Sequence, residues 1–420
     1  MRTTSITSPN GSVREFEVIE LPVPHILVDT KPKLHGWSYY NYQDAGKREC
    51  THERFPLNPY GACENLCFCC YARRLGMYAQ FYDRCGIMTV YRDYPALIKA
   101  RIDKLHASCC FYLSTATDPW QAIETRYHYS EETIKMLVGL NLPVEFITKR
   151  GSLVPRSVFE SMASQAHSFV QFTIMSPRSD LLKLLAPKAD SFEQQIEAIK
   201  TARDCGVRHV VARFDPIIPY LTDDRDDIEA MFSAVKAAGA THVISSCMDI
   251  PGSIKNVIMT RVHDLFLHSG VDDAFPAFKN VYANDQSVGK DLNATMDYRR
   301  SLFGDMRKMA SQHDLTFSLC MEFEVIHEGG AIRYRGLNED FATSKACEGI
   351  DTPIYYRENL NEPFQPLTTK LPACNGNCLA SAKNKDWSCK GACNCEPFTK
   401  ATPLEENHYK QMWEKINGCD

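Results

Sequence analysis

Between about residues 107 and 326 short apolar runs alternate with amphipathic stretches. The runs Ser108–Ser114, Pro143–Thr148, Phe169–Met175, His209–Phe214, His242–Cys247 and Leu315–Cys320 predict strands. Ser130–Leu140, Ser157–Ser164, Ser191–Cys205 and Asp226–Ala238 carry helical spacing. Ser130 opens the first helix with Glu131 and Glu132 behind it; Gly206 closes the third and Gly239 the fourth. Strands alternating with helices imply βαβ units and a parallel sheet. No internal repeat of about 20–50 residues is evident. In such sheets, function gathers at the carboxyl ends of the strands.

Composition narrows the class. The chain has 420 residues, 44% hydrophobic and 24% charged, so a globular fold is expected. No apolar run reaches transmembrane length, and residues 1–30 lack a charged-then-apolar export pattern. A cytoplasmic protein with no membrane partner is expected. The 18 cysteines are then read as reduced thiols and metal ligands, not a disulfide framework. A net charge of −5 gives no general affinity for nucleic acid but leaves room for a local basic groove. Trp37, Tyr39, Tyr40 and Tyr42 could stack on bases, though such residues more often only pack. Three regions are expected: an N-terminal extension over 1–50, a barrel core over 51–330 and a cysteine-rich region over 331–420.

Two cysteine groups carry the candidate chemistry. Cys63, Cys67 and Cys70 stand at C-x3-C-x2-C spacing, enough to ligate three irons of a [4Fe–4S] cube and leave the fourth open. A zinc or structural thiol site is the plain alternative, but zinc sites usually pair cysteines or Cys with His, and no His lies in this run. Cys69 stands between the ligands and is read as packing. In the tail, Cys374, Cys378, Cys389, Cys393 and Cys395 crowd into 22 lysine-bearing residues too poor in apolar groups to build a core. An auxiliary iron–sulfur cluster, or else structural zinc, would fold that segment, and Cys347 could join its ligands; simple unligated thiols are the remaining alternative.

The C-x3-C-x2-C run followed by Tyr71 resembles the signature of radical S-adenosylmethionine (SAM) enzymes. Asn58-Pro59-Tyr60 before it and Tyr71-Ala72-Arg73 after it resemble the spore-photoproduct-lyase-like branch. So do Thr115-Ala-Thr-Asp118-Pro with Glu124, Thr148-Lys149, Phe172-Thr173, and Arg213-Phe-Asp-Pro216-Ile-Ile-Pro219. The likeness covers about residues 50–220 and thins after 250. It implies an α/β fold with a partial (β/α)6 TIM-type barrel, here with the cysteine-rich C-terminal extension. It also implies a [4Fe–4S] cluster whose open iron is chelated by SAM, an electron donor of the flavodoxin or ferredoxin type, and cleavage of SAM to a 5′-deoxyadenosyl radical that takes hydrogen from a substrate.

By the same resemblance Lys149 would meet the SAM carboxylate, and Tyr71 would approach the adenine, largely through its backbone. Ser114, Thr115, Thr173 and Arg213 are further cofactor candidates. Each has a plain alternative: a solvated lysine, strand-end hydroxyls bonded to their own backbone, and an arginine paired with Asp215. Asp118-Pro119 reads equally as a helix-start device. The lyase proper places a hydrogen-donor cysteine where this chain has Thr115, while Cys109 and Cys110 fall inside the strand. Thymine-dimer repair is therefore disfavoured. The expected reaction is of lyase or isomerase type on a nucleobase or nucleoside, in DNA repair or hypermodification style. The alternatives are a radical SAM enzyme acting on a peptide or small metabolite, and a non-catalytic iron–sulfur or zinc protein that binds nucleic acid.

Overall fold

Seven parallel strands lie side by side in chain order in one central sheet. They are β1 Arg54–Leu57, β2 Cys110–Leu113, β3 Val144–Thr148, β4 Phe169–Thr173, β5 His209–Ile217, β6 His242–Cys247 and β7 Thr316–Leu319. The computed structural model describes residues 2–366, apart from 8–10, 12, 31–53, 75–81, 285, 288–290, 345, 351 and 354. Helices between the strands include α1 Tyr129–Gly139, α2 Arg156–Ala163, α3 Ser179–Leu185, α4 Phe192–Asp204, α5 Arg225–Ala237, α6 Lys255–His268 and α7 Met296–Gln312. Parallel strands need crossovers, and here helices supply them. The α/β barrel-type fold expected from the sequence is the one observed.

Local chemistry explains the boundaries. Ser191 opens α4 with a reciprocal capping box: its hydroxyl accepts from Gln194 N, and Gln194 Oε1 accepts from Ser191 N. The Asp224 carboxylate caps α5 by accepting from Asp226 N and Asp227 N. Every residue of β4 is buried, as a strand covered on both faces requires. Phe146, Phe172, Phe214, Val158, Ile199 and Phe232 belong to the main core between sheet and helices.

Several boundaries differ from expectation. The stretch Ser108–Ser114 is two strands, because Ala107–Ser108 pairs antiparallel with Tyr355–Tyr356 while β2 starts at Cys110. Ser114 ends β2 at φ +62°. β5 runs on to Ile217 through a register shift after Phe214. The sheet also gains β1, which runs straight into the cysteine loop. After β7 an antiparallel hairpin, Phe323–Glu328 with Ala331–Gly336, is tied back by buried Arg299 on α7, which donates to Glu322 Oε2 at 2.9 Å and Phe323 O at 2.8 Å. The tail cysteines 374, 378, 389, 393 and 395, and the aromatics 37–42, lie outside the described residues.

Candidate active site

A cavity of about 330 Å³ opens at the carboxyl ends of the strands. Cys63, Cys67 and Cys70 line it, and so do Tyr71, Ser114, Thr115, Lys149, Thr173 and Arg213. Residues from five separate stretches of sequence are therefore brought to one space. The size falls within the usual range for small-molecule sites, roughly 300–1,000 Å³.

The cysteine loop is held by the turn that follows β2. Asn58 donates from Nδ2 to Thr115 Oγ1 and accepts from Ala116 N, both at 3.1 Å. Tyr60, fully buried, donates to the Glu124 carboxylate. Gly61 passes so close to the Thr89 hydroxyl that any Cβ there would overlap it. Gln121 donates to Ala62 O at 3.0 Å and accepts from Glu64 N at 3.1 Å. Asp118 is the hub: its carboxylate accepts from Asn65 Nδ2 and Thr148 Oγ1 at 2.8 Å, Lys149 N at 2.9 Å and Trp120 N at 3.0 Å. A carboxylate so saturated has little capacity left for a ligand. Asp118 positions the cysteine loop, and Glu124 does likewise by accepting from Ser130 N and Glu131 N at the start of α1.

Burial dominates the electrostatics. It raises the Cys63 thiol well above its usual value, with Asp118 and Cys67 adding to it. It pushes Cys67 up to about 11 against the pull of Lys149, and it raises Cys70 too. Three thiolates in this space call for a cation among them. For Lys149, burial alone would lower the ammonium, but Cys67, Asp215, Cys69 and Asp118 outweigh it and hold it above its usual value. Among the described residues, that ammonium has no hydrogen-bond or ion-pair partner. Ser114 Oγ and Thr173 Oγ1 are buried without a partner among the described residues. Orphaned buried hydroxyls are costly unless something binds them.

A [4Fe–4S] cluster with SAM fits this donor set: three thiols lining one cavity, two buried hydroxyls without a partner among the described residues, and the Lys149 ammonium. No three His, Cys, Asp or Glu side chains among the described residues gather as ligands of a single ion would. A cube asks for the looser arrangement in which each thiolate takes its own iron.

Not every candidate is equally available. Thr115 Oγ1 already accepts from Asn58, and the Tyr71 hydroxyl donates to Thr115 O. Arg213 is braced by Asp215 at 2.8 Å and Gln171 at 3.1 Å, and it donates to Cys320 Sγ at 2.7 Å. Cys109 and Cys110 are buried. Cys69 packs against the main core at the cavity edge. Cys347 lines this same cavity and donates to Glu348 Oε2 at 3.0 Å, while the tail cysteines it was grouped with lie outside the described residues.

Sequence reasoning missed the buried polar chain that reaches the cavity through Arg54 and Glu348: Arg54 pairs with Glu145 at 2.8 Å and with Glu348, Gln171 donates to Glu145 Oε2 at 2.8 Å and accepts from Arg213, and Arg213 donates on to Cys320. A signal existed: Glu145 and Gln171 interrupt otherwise apolar strand runs, and a buried charge needs a partner.

No protein-family model matches the chain. It is 25% identical over 397 residues to a protein of Pseudomonas phage M6 named radical SAM Nα-GlyT isomerase, covering 93% of this chain and 79% of that one. An uncharacterised protein of Mycobacterium tuberculosis is 25% identical over 213 residues, covering 49% of this chain and 62% of its own length. Among solved structures, spore photoproduct lyase complexed with dinucleoside spore photoproduct aligns at TM-score 0.48 and 13% identity, over 67% of this chain and 84% of that one.

Proposed function

We propose that this chain, an enzyme of the radical SAM type, uses its cavity to cleave SAM reductively and to rearrange a nucleobase or nucleoside, free or in DNA. The observation that carries the reading is the cavity itself. It joins the C-x3-C-x2-C thiols to the Lys149 ammonium and to the Ser114 and Thr173 hydroxyls, which have no partner among the described residues.

In this reading Cys63, Cys67 and Cys70 bind three irons as thiolates. Bound there, the cluster and SAM supply a carbon radical able to take hydrogen from an unactivated C–H bond. Lys149 holds the SAM carboxylate with a charge-assisted bond. Ser114 and Thr173 would donate their hydroxyls to the bound cofactor, and the Tyr71 backbone would approach the adenine. The Arg213–Asp215 pair lines the same cavity and would meet SAM or substrate. The electron comes from a donor of the flavodoxin or ferredoxin type.

The isomerase form is favoured over repair. A 25% identical relative named as an isomerase aligns over 93% of the chain.

Anaerobic incubation of the reconstituted enzyme with SAM and dithionite tests the core of the reading. Release of 5′-deoxyadenosine is expected, and its loss in the Cys63/Cys67/Cys70→Ala triple variant. Persistent reductive cleavage in that variant would sink the assignment. A panel of 5-substituted pyrimidine nucleosides, free and in DNA, tests the substrate. A product of unchanged mass and altered retention marks an isomerase. Turnover of peptides with every nucleoside inert would move the enzyme to another substrate class.

A further inference from the structure

The cavity holds a thiol that the reading above leaves unused. Cys320 follows the last residue of β7, and its backbone N donates to Ser245 O at 2.8 Å. Met321 turns the chain at φ +57° just beyond it. Glu322 anchors that turn by accepting from Arg299 Nη1 at 2.9 Å and Cys247 N at 2.6 Å. Cys320 Sγ accepts from Arg213 Nη2 at 2.7 Å. Cys320 is thus fixed in the wall of the cavity lined by the three-cysteine loop and by Thr173 and Ser114, whose buried hydroxyls have no partner among the described residues.

The other cavity thiols outside the loop stand differently. Cys247 is 3% exposed and packed beside the Tyr282 hydroxyl. Cys347 is 4% exposed and donates to Glu348. Cys320 is only partly buried.

We propose that Cys320 is the hydrogen-atom donor that quenches the carbon radical formed in this cavity. The inference rests on the radical reading above. A carbon radical that has rearranged must gain one hydrogen atom, and a thiol S–H bond is weak enough to give it. The S–H bond breaks and a C–H bond forms. The thiyl radical left on Sγ then takes one electron from the same flavodoxin- or ferredoxin-type donor and one proton from solvent. Arg213 is a positioning residue here: its guanidinium stabilises the anionic sulfur between those two arrivals. Burial pushes the Cys320 thiol up to about 12 against the opposing pull of Arg213. The resting group is therefore the protonated thiol, the form that carries a hydrogen atom to give.

The full-length reconstituted enzyme, given SAM and dithionite in D2O without substrate, tests this, because the S–H of Cys320 exchanges there to S–D. Wild type should release 5′-deoxyadenosine carrying one deuterium at C5′. Cys320→Ala and Cys320→Ser should still release 5′-deoxyadenosine but lose most of that deuterium, while Cys247→Ala keeps it. Equal labelling in Cys320→Ala, or equal loss in Cys247→Ala, overturns the donor assignment. No 5′-deoxyadenosine from wild type overturns the radical reading, and the donor with it. Peptide mapping of the metal-free chain after iodoacetamide gives a readout independent of turnover. Cys320 should be modified ahead of Cys247 and Cys347, and the reverse order would rule out an accessible donor thiol.

Discussion

Asp118 Oδ2 accepts from Asn65 Nδ2 at 2.8 Å, joining the turn after β2 to the middle of the cysteine loop. The same carboxylate takes the Lys149 backbone N–H and the Thr148 hydroxyl from the end of β3. One buried group thereby sets the distance between the three thiols and the lysine expected to hold SAM. Asp118→Ala leaves those donors buried without an acceptor. We expect a stability loss of roughly 2–4 kcal/mol and lower iron content after anaerobic reconstitution, with Asp118→Asn intermediate. Denaturant unfolding and iron analysis check both. Unchanged iron in Asp118→Ala would remove it as the loop's anchor.

Lys149→Ala should weaken SAM binding. A charge-assisted bond of about 1.5–3 kcal/mol corresponds to roughly a tenfold to hundredfold rise in Kd. Thr173→Val should cost less. Calorimetry on the reconstituted protein measures both, and unchanged affinity in Lys149→Ala takes that residue out of the site.

Glu124 predicts a pH dependence. Burial pushes its carboxyl up to about 7, against the hydrogen bonds from Tyr60, Glu131 and Ser130. The folded value lies above the unfolded one, so the protonated form favours folding. Its contribution is full below about pH 4.3 and is lost as pH rises through about 7. Wild type should therefore lose stability relative to Glu124→Gln across that window, by on the order of 3 kcal/mol. Parallel unfolding curves for the two proteins from pH 5 to pH 8 would contradict this.

The tail should bind its own metal. Five thiols within 22 lysine-bearing residues would otherwise be open to oxidation, and ligation would shield and order them. Four ligands suffice for a closed cube or for tetrahedral zinc, so one thiol is spare unless Cys347 takes part. The Cys63/Cys67/Cys70→Ala variant, reconstituted anaerobically, should retain about four irons per chain. One zinc and no iron would make the tail structural. Neither metal, with the tail cysteines freely alkylated, would end both readings.

Much of this protein was legible in its sequence because the relevant signals are local. The alternation of apolar runs with capped helices fixes βαβ order, since strand burial and helix capping act over a few residues. Helix α4 lies within a residue of expectation at each end because Ser191, Gln194 and Gly206 mark it. The C-x3-C-x2-C spacing is likewise a local signal, confined to the eight residues from Cys63 to Cys70. The partners of buried polar groups, in contrast, follow from which elements pack together. Nothing in the spacing of Asp118, Asn65 and Thr148 says that one carboxylate would serve both other side chains. Arg213 was ambiguous between Asp215 and a ligand until Gln171 and Cys320 closed around it. Cys320 stands 107 residues from Arg213 in sequence, and only the closing of β7 beside β6 brings its thiol into the cavity. Hydrogen bonds among buried groups depend on which strands become neighbours, and that is a property of the whole sheet.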